Sequence, residues 1–438
     1  MRRASGFLLL LLSTAALVGC LGLSPLTREE RDRLEAFDFY WDTLAHNYPL
    51  FGQQQVPWEE LRQRYRAAVP YAQRPHEFYH LLVGMFSELG DVHVSFRAPP
   101  ERWLDRGREP TSLLELDGFR LMPIEGRLHV VGWPADQAPP QPEGLPPDAR
   151  YPELWRVEGF PVVVSLVANL LRGPPGSSVE LQLRWRDGVL TRHVLRRPEQ
   201  GDGEGSSPLG HLDSGPWTWH RRRRREFAWI ELATFGERLP VDEVVRAVER
   251  SRDRRGLVLD LRRNLGGRWN TTREVVEHFL RDPIDLVFVQ PGEASAFGGL
   301  ISLELFSSST WLPRSPLFDQ PLVVLTSSLT ASMAEHAARV LQRHCGATVI
   351  GERTVGAEAG ILEFTGPDDG VLKFGALRVV DRTGVGLQAE GVAPDVSVRL
   401  TLDDVERLGP DEAARDWDER LAAAANASLR ARSGGEPR

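Results

Sequence analysis

Between Pro321 and Gly360 the chain passes from an apolar run, Pro321 to Leu325, through a polar stretch, Thr326 to Thr330, into a helical pattern. There Ala334, Ala337, Ala338 and Leu341 recur at helical spacing up to Gly346. The apolar run predicts a buried strand, and Gly346 predicts the helix C-cap. Strand, tight turn and helix in succession lift the turn to the rim of a sheet, with the first free N–H groups of the helix facing whatever docks there. Ser332 stands at that point. Two readings compete for it. Ser332-Met333-Ala334-Glu335 fits an S-x-x-E capping box, which needs no chemistry; the same placement suits a nucleophilic hydroxyl. The flanking sequence continues the alternation. Glu226 to Phe235 predicts a strand and Asp242 to Arg250 a helix; Gly256 to Leu261 predicts a fully buried strand. That strand runs into Arg262-Arg263-Asn264-Leu265-Gly266-Gly267, a helix follows through Leu280, and strands return over 371–400. Such alternation predicts an α/β core with a substantially parallel sheet.

The rest of the chain reads differently. Residues 27 to 96 are helical by pattern: Thr27-Arg28-Glu29-Glu30 is a capping box, and Leu34, Phe37, Trp41 and Leu44 keep helical spacing. Further helices are expected over Trp58 to Val69 and from Pro75, carrying Phe78, Leu81, Leu82 and Met85. From Leu116 to Arg197 short strands and turns take over, with a Pro-rich insert at 138–147. Residues 198–216 are rich in Gly, Ser and Pro and predict a linker, which would let the inserted β module move relative to the rest. A terminal helix is expected over Asp411 to Ala427.

With 438 residues there is room for two or three domains, and 26% charged with 41% hydrophobic residues is ordinary for a folded protein. A net charge of −8 argues against nucleic acid as a partner; Arg221 to Arg225 reads as a solvated loop or strand edge. Neither H-E-x-x-H nor a phosphate loop occurs, so metal and nucleotide chemistry have no support and no cofactor is expected. At the N-terminus Arg2 and Arg3 precede the apolar run Phe7 to Leu12, a signal-peptide pattern too short for a spanning helix. Cysteines stand only at 20 and 345. Cys345, near the end of a core helix, reads as inert packing.

Four motifs together resemble the S41 family of serine peptidases, which includes the C-terminal processing proteases and the tricorn core proteases. They are T-A-S-M-A-E at 330–335, followed after a helix by T-V-I-G-E-R-T-V-G at 348–356; L-G-D-V-H at 89–93; D-L-R-R-N-L-G-G at 260–267; and G-V-A-P-D at 391–395. The resemblance covers nearly all of the chain after the signal. It implies an α/β multi-domain fold with an N-terminal helical bundle (20–100), a PDZ-like β domain (116–197), a linker (198–216), a peptidase core of the S41, ClpP/crotonase-like type (217–405), and a C-terminal helix and tail (406–438). It implies Ser332 as nucleophile. Where the processing branch has its lysine base, this chain has Ala357, and its one lysine, Lys373, lies in another predicted strand. The tricorn-like branch uses a histidine instead, which maps to His93; His336, one helical turn past Ser332, is a competitor on geometry alone. The orienting acid would be Glu390, with Gln388 beside it and Asp91 as an alternative. The oxyanion donors would be the N–H groups of Met333 and Gly266. The tetrad L-V-G-C at 17–20 resembles a bacterial lipobox, implying removal of residues 1–19, lipidation of Cys20 and, with Leu21 following, an outer-membrane anchor facing the periplasm. The implied activity is a serine endopeptidase of the cell envelope that cleaves extended peptides or C-terminal tails, presented by the PDZ-like groove around Leu116-Asp117-Gly118-Phe119. The alternative is an inactive S41-fold lipoprotein that binds peptides or small ligands.

Overall fold

The computed structural model describes residues 26–48, 56–99, 120–132, 150–163, 167–171, 178–185, 188–195, 219–222, 227–289, 307–357, 359–381 and 391–433. The signal segment, Cys20, Leu116 to Phe119, the linker, Gln388 and Glu390 lie outside them.

The first helices form where their local signals stand. Thr27 Oγ1 accepts from the Glu30 N–H (3.2 Å) while Glu30 returns a carboxylate to the Thr27 N–H, and α1 (Arg28–Asn47) follows. α2 (Trp58–Ala68) and α3 (Pro75–Ser87) complete the bundle, and β1 (Ser95–Arg97) leaves it. An all-antiparallel β domain comes next: β2 (Arg120–Ile124), β3 (Arg127–Gly132), β4 (Glu153–Val157), β5 (Phe160–Pro161), β6 (Ser178–Trp185) and β7 (Gly188–Leu195), with the short α4 (Val167–Leu171).

This β domain is not a detached lobe. Leu121, Leu128, Leu154 and Phe160 share one core with Phe37, Tyr65 and Leu81 of the bundle. The Phe160 ring stacks on Tyr65 with centroids 6.1 Å apart and lies over Gly84, where a β-carbon would come within 2.3 Å of it. On the opposite face of β2, Met122 and Ile124 pack with Phe227 and Trp229 of the next domain. Wedged between two apolar surfaces, the domain lacks the independence that a linker-borne insert suggests, because moving it would expose both cores.

The α/β core comprises β8 (Trp219–Arg222), β9 (Ala228–Leu232), α5 (Val241–Glu249), β10 (Leu257–Asp260), α6 (Trp269–Val276), β11 (Ile284–Val289), β12 (Ser307–Trp311), β13 (Leu322–Thr326), α7 (Met333–His344), β14 (Thr348–Gly351), β15 (Ala359–Thr365), β16 (Val371–Asp381), β17 (Val396–Ser397), α8 (Leu402–Leu408) and α9 (Pro410–Ser433). Its main sheet runs β17-β14-β13-β10-β9-β8, parallel except for β8 at the edge. Arg221 and Arg222 thus sit on an edge strand. Both faces of the sheet are covered, which is why β10 and β13 are apolar at consecutive positions. Leu259 and Val324 face α5, α6 and α7 through Val244, Val275 and Ala337. Val258 and Val323 face Leu421, Ala425 and Leu429 of α9. That apolar stripe carries α9 to Ser433, further than the pattern alone predicts.

A second sheet, β1-β16-β11-β12 with β15 also on β16, joins bundle to core: Ser95 pairs with Lys373 and Phe96 with Leu372. The turn between β15 and β16 inserts into the bundle, where Asp368 accepts from the hydroxyls of Tyr40 (2.5 Å) and Tyr79 (3.0 Å). Gly366 and Gly370 flank that contact, and a β-carbon at either would clash with the Tyr40 hydroxyl.

Candidate active site

Ser332 closes the turn after β13 and opens α7. Its backbone is the most informative torsion pair in the chain, φ 54° and ψ −125°. Ordinary N-caps lie in the extended region, as Thr27 (−63°, 166°) and Thr401 (−107°, 158°) do here. A cap gains nothing from positive φ at a residue with a β-carbon. Such a conformation costs about 1–3 kcal/mol, persists only where the surroundings hold it, and is the torsion of a strand-to-helix nucleophile elbow.

The D-L-R-R-N-L-G-G segment supplies much of that hold. Asp260 is buried against Arg262, which donates to it from Nε (2.9 Å) and Nη2 (2.7 Å), and Arg262 reaches on to Asp418 of α9 (2.7 Å). The Ala331 N–H donates to the Asn264 carbonyl (3.1 Å), and Thr330 Oγ1 to that of Leu261 (2.9 Å). The motif therefore pins the Ser332 turn to the glycine turn. At Gly266, φ 106°, a β-carbon would lie 2.8 Å from Ser332 Cβ and 3.1 Å from the Met333 nitrogen. Gly266 does sit beside Met333, as expected, but its own N–H is committed to Asn264 Oδ1 (2.9 Å). The neighbouring Gly267 lines the cleft. Its φ of 149° brings its α-carbon so close to the Phe235 backbone that a β-carbon would lie 2.3 Å away.

Glu335 does more than cap. Fully buried, it accepts from the Ser332 N–H (2.9 Å), Thr354 Oγ1 (2.5 Å), the Gly356 N–H (2.6 Å) and the Ala357 N–H (2.8 Å). Burial raises its pKa against the pull of these four donors. The clamp binds the serine to the segment that leads into β15. Only the local half of this pattern is visible in S-x-x-E; the contacts to 354–357 are non-local.

His93 reaches the same cleft from the bundle side. The cleft, about 940 Å³, is lined by His93, Ser332, Gly267, Leu265, Val355 and Ile361 among others. His93 is buried, and its Nδ1 lies 3.3 Å from Asp91 Oδ1. Asp91 also accepts from the His93 N–H (2.8 Å) and the Tyr48 hydroxyl (2.7 Å). No hydrogen bond engages His93 Nε2 among the described residues. Burial is the largest influence on the ring and works to lower its pKa; the Asp91 carboxylate, the Glu335 charge and the backbone of Ala357 outweigh it, so the value is raised. Asp91 is shifted the other way: burial opposes ionisation, and hydrogen bonds from His93 and Tyr48 overcome it. Tyr48 had no sequence signal, since its partner is distant along the chain.

The remaining candidates fall elsewhere. His336 packs between the rings of Trp269 and Trp311, centroids 5.2 and 5.1 Å away, and is not among the cleft-lining residues. Lys373 pairs with Glu363 across the strands (2.5 Å) and is likewise absent from the lining. Ala357 is buried. Burial pushes the Cys345 thiol up to about 12, in keeping with inert packing. No cluster able to hold a metal ion occurs among the described residues.

Comparison with known proteins bears on this geometry. The family model "Peptidase family S41" matches residues 226–398, and "Tricorn protease C1 domain" matches 29–87. Carboxyl-terminal-processing peptidase 1, chloroplastic, of Arabidopsis thaliana is 24% identical over 344 residues, 75% of this chain and 64% of that protein. The chain thus spans under two thirds of that relative's length. Among solved structures, mature CPAF superposes with a TM-score of 0.58 at 13% identity, over 91% of this chain and 98% of that one. A candidate peptidase of Parabacteroides merdae gives 0.52 at 17% identity, over 91% and 96%. These two likenesses establish the fold.

Proposed function

Residues 226–398 form a peptidase family S41 domain behind a tricorn-type C1 segment, and from that premise we propose a serine endopeptidase in which His93 is the base for Ser332. Ser332 Oγ attacks the scissile carbonyl and passes its proton to His93 Nε2. Asp91 holds Nδ1–H and stabilises the imidazolium. The oxyanion is received by the N–H groups of Met333 and Gly267, with Gly266 giving the close approach that a side chain would block. His93 then returns the proton to the leaving amine, and water repeats the sequence on the acyl-enzyme. Asp91 takes the orienting role in this reading, in place of Glu390. The observation that carries it is the Ser332 backbone, held at positive φ while the other α-helix N-caps given for the described residues keep negative φ.

A fluorophosphonate probe tests the reading directly. Labelling that maps to the peptide containing Ser332 and vanishes in Ser332→Ala is expected. A folded wild-type chain that takes up no label would leave the peptide-binding alternative in its place.

The substrates we propose are extended peptides or C-terminal tails in the cell envelope, since the relative just cited is named for carboxyl-terminal processing. The lipobox-like L-V-G-C supports a lipid anchor at Cys20. Cys20→Ala should move the protein from the membrane to the soluble fraction of a bacterial host; unchanged membrane retention would remove the anchor from the proposal. The β2–β7 domain is proposed as PDZ-like.

A further inference from the structure

One residue of the terminal helix is tied to the Ser332 turn although it does not line the cleft. Asp418 stands on α9, outside the S41 domain of residues 226–398. Its Oδ1 accepts from Arg262 Nη1 (2.7 Å). Arg262 is 4% exposed and Asp260 1%, so the guanidinium has given up its water and depends on the groups packed round it. Asp260 takes Nε and Nη2, and the Trp417 ring of α9 lies 5.0 Å from the guanidinium carbon. Burial works against the Arg262 charge; Asp260, and then Asp418, overcome it, so the pKa is raised. Asp260 alone balances the charge. What Asp418 adds is a tether from α9 to a residue whose backbone carries the Ser332 turn.

The Arg262 carbonyl accepts from Ser327 Oγ (2.6 Å), which itself accepts from the Leu329 N–H (3.1 Å). The Leu261 and Asn264 carbonyls hold Thr330 and Ala331 in the same way. Backbone acceptors over 261–264 thus carry the turn from Ser327 to Ala331, and Ser332 and Met333 follow directly. In the other direction the same backbone runs on into Gly266 and Gly267. A tilt of this segment would change the spacing between the N–H groups of Met333 and Gly267, and the approach of Ser332 Oγ to a carbonyl held between them. α9 is well placed to resist such a tilt. Its Leu421, Ala425 and Leu429 are buried on the sheet, and Trp417 Nε1 donates to the Val398 carbonyl (2.9 Å).

We propose that Asp418 is a positioning residue: through Arg262 it fixes the 261–264 backbone, and with it the spacing of Ser332 and the two oxyanion N–H groups, a role that rests on Ser332 being the nucleophile. A donor moved out of place weakens the transition state more than the bound substrate, so the loss falls on kcat.

The test compares the full chain with Asp418→Ala, Asp418→Asn and Asp416→Ala. Initial rates are measured on fluorescein-labelled casein, together with the rate of fluorophosphonate labelling, whose tetrahedral adduct places an oxygen among the same N–H groups. Asp416 is the control: it sits on the same helix but pairs with Arg420 (2.8 Å). Asp418→Ala should lower kcat and the labelling rate about tenfold with KM little changed, short of the roughly hundredfold loss for an oxyanion donor removed outright. Asp418→Asn keeps an acceptor for Nη1 and should recover most of the loss, and Asp416→Ala should match the parent. Unchanged kcat and labelling in Asp418→Ala, a loss confined to KM, or an equal loss in Asp416→Ala overturns the proposal. Should Asp418→Ala not fold, Arg262→Lys gives the same reading: it keeps a charge beside Asp260 without the fork that reaches both carboxylates, and parent-like kcat there overturns the proposal equally. A parent chain that takes up no fluorophosphonate refutes the nucleophile itself, whereas a labelled parent matched by Asp418→Ala refutes the positioning role alone.

Discussion

His93→Ala is expected to lower kcat for peptide hydrolysis by about four to six orders of magnitude while KM moves little, because the ring acts in the chemical step and not in binding. The pH profile carries the second half of this result. In the proposed mechanism the neutral ring is the base, so kcat/KM should fall as pH drops through the His93 pKa. Since that value is raised, the fall should begin above the roughly 6.5 of an unperturbed histidine. Stability runs the opposite way. The charged ring's contact with Asp91 contributes fully below the unfolded pKa and is lost as pH rises through the folded one. Asp91→Asn should move the activity limb to lower pH while reducing kcat, an outcome that mere structural support by Asp91 does not predict. Near-normal turnover in His93→Ala, or a comparable loss produced by Lys373→Ala, would sink the assignment.

The second large effect concerns stability. Glu335→Ala would strand the N–H groups of Ser332, Gly356 and Ala357 and the Thr354 hydroxyl, two of them in fully buried and two in part-buried surroundings. A loss of about 3–5 kcal/mol is expected, against about 1 kcal/mol if the residue served only as the third position of a capping box. Glu335→Gln keeps the shape and one acceptor oxygen, so it should fall between. Chemical denaturation of the three chains decides the matter: a cost near 1 kcal/mol for the alanine variant would reduce Glu335 to a helix cap.

What could be read in advance followed from interactions close in sequence. The Thr27 box, the strand–turn–helix around Ser332 and the helix end at Gly346, which adopts φ 66°, are local matters and stand within a residue or two of expectation. The consecutive apolar positions of β10 and β13 announced a sheet covered on both sides. The motifs drew attention to the Ser332 turn, the glycine turn and His93, all of which meet at one cleft. Contacts with distant partners were invisible. Nothing about Tyr48 points to Asp91, and Asn264 gives no hint that its side chain would occupy the Gly266 N–H. Glu335 reads as a cap until residues 354–357 are folded against it. The β domain was misjudged in its independence for the same reason: apolar residues on both sides of β2 look alike in sequence whether they meet water, the bundle or the core.

His93 lies two residues before β1, and β1 is fixed by pairing with β16, near the other end of the chain. During synthesis, therefore, the bundle and the β domain emerge with no partner for that strand, and Ser332 emerges with its elbow not yet braced by Thr354 to Ala357. The shared cleft of His93 and Ser332 thus depends on a strand pairing between residues 95–97 and 371–373. A fragment broken off short of β16 would carry both residues and lack the strand on which β1 is paired, so on the proposed mechanism it should show no turnover.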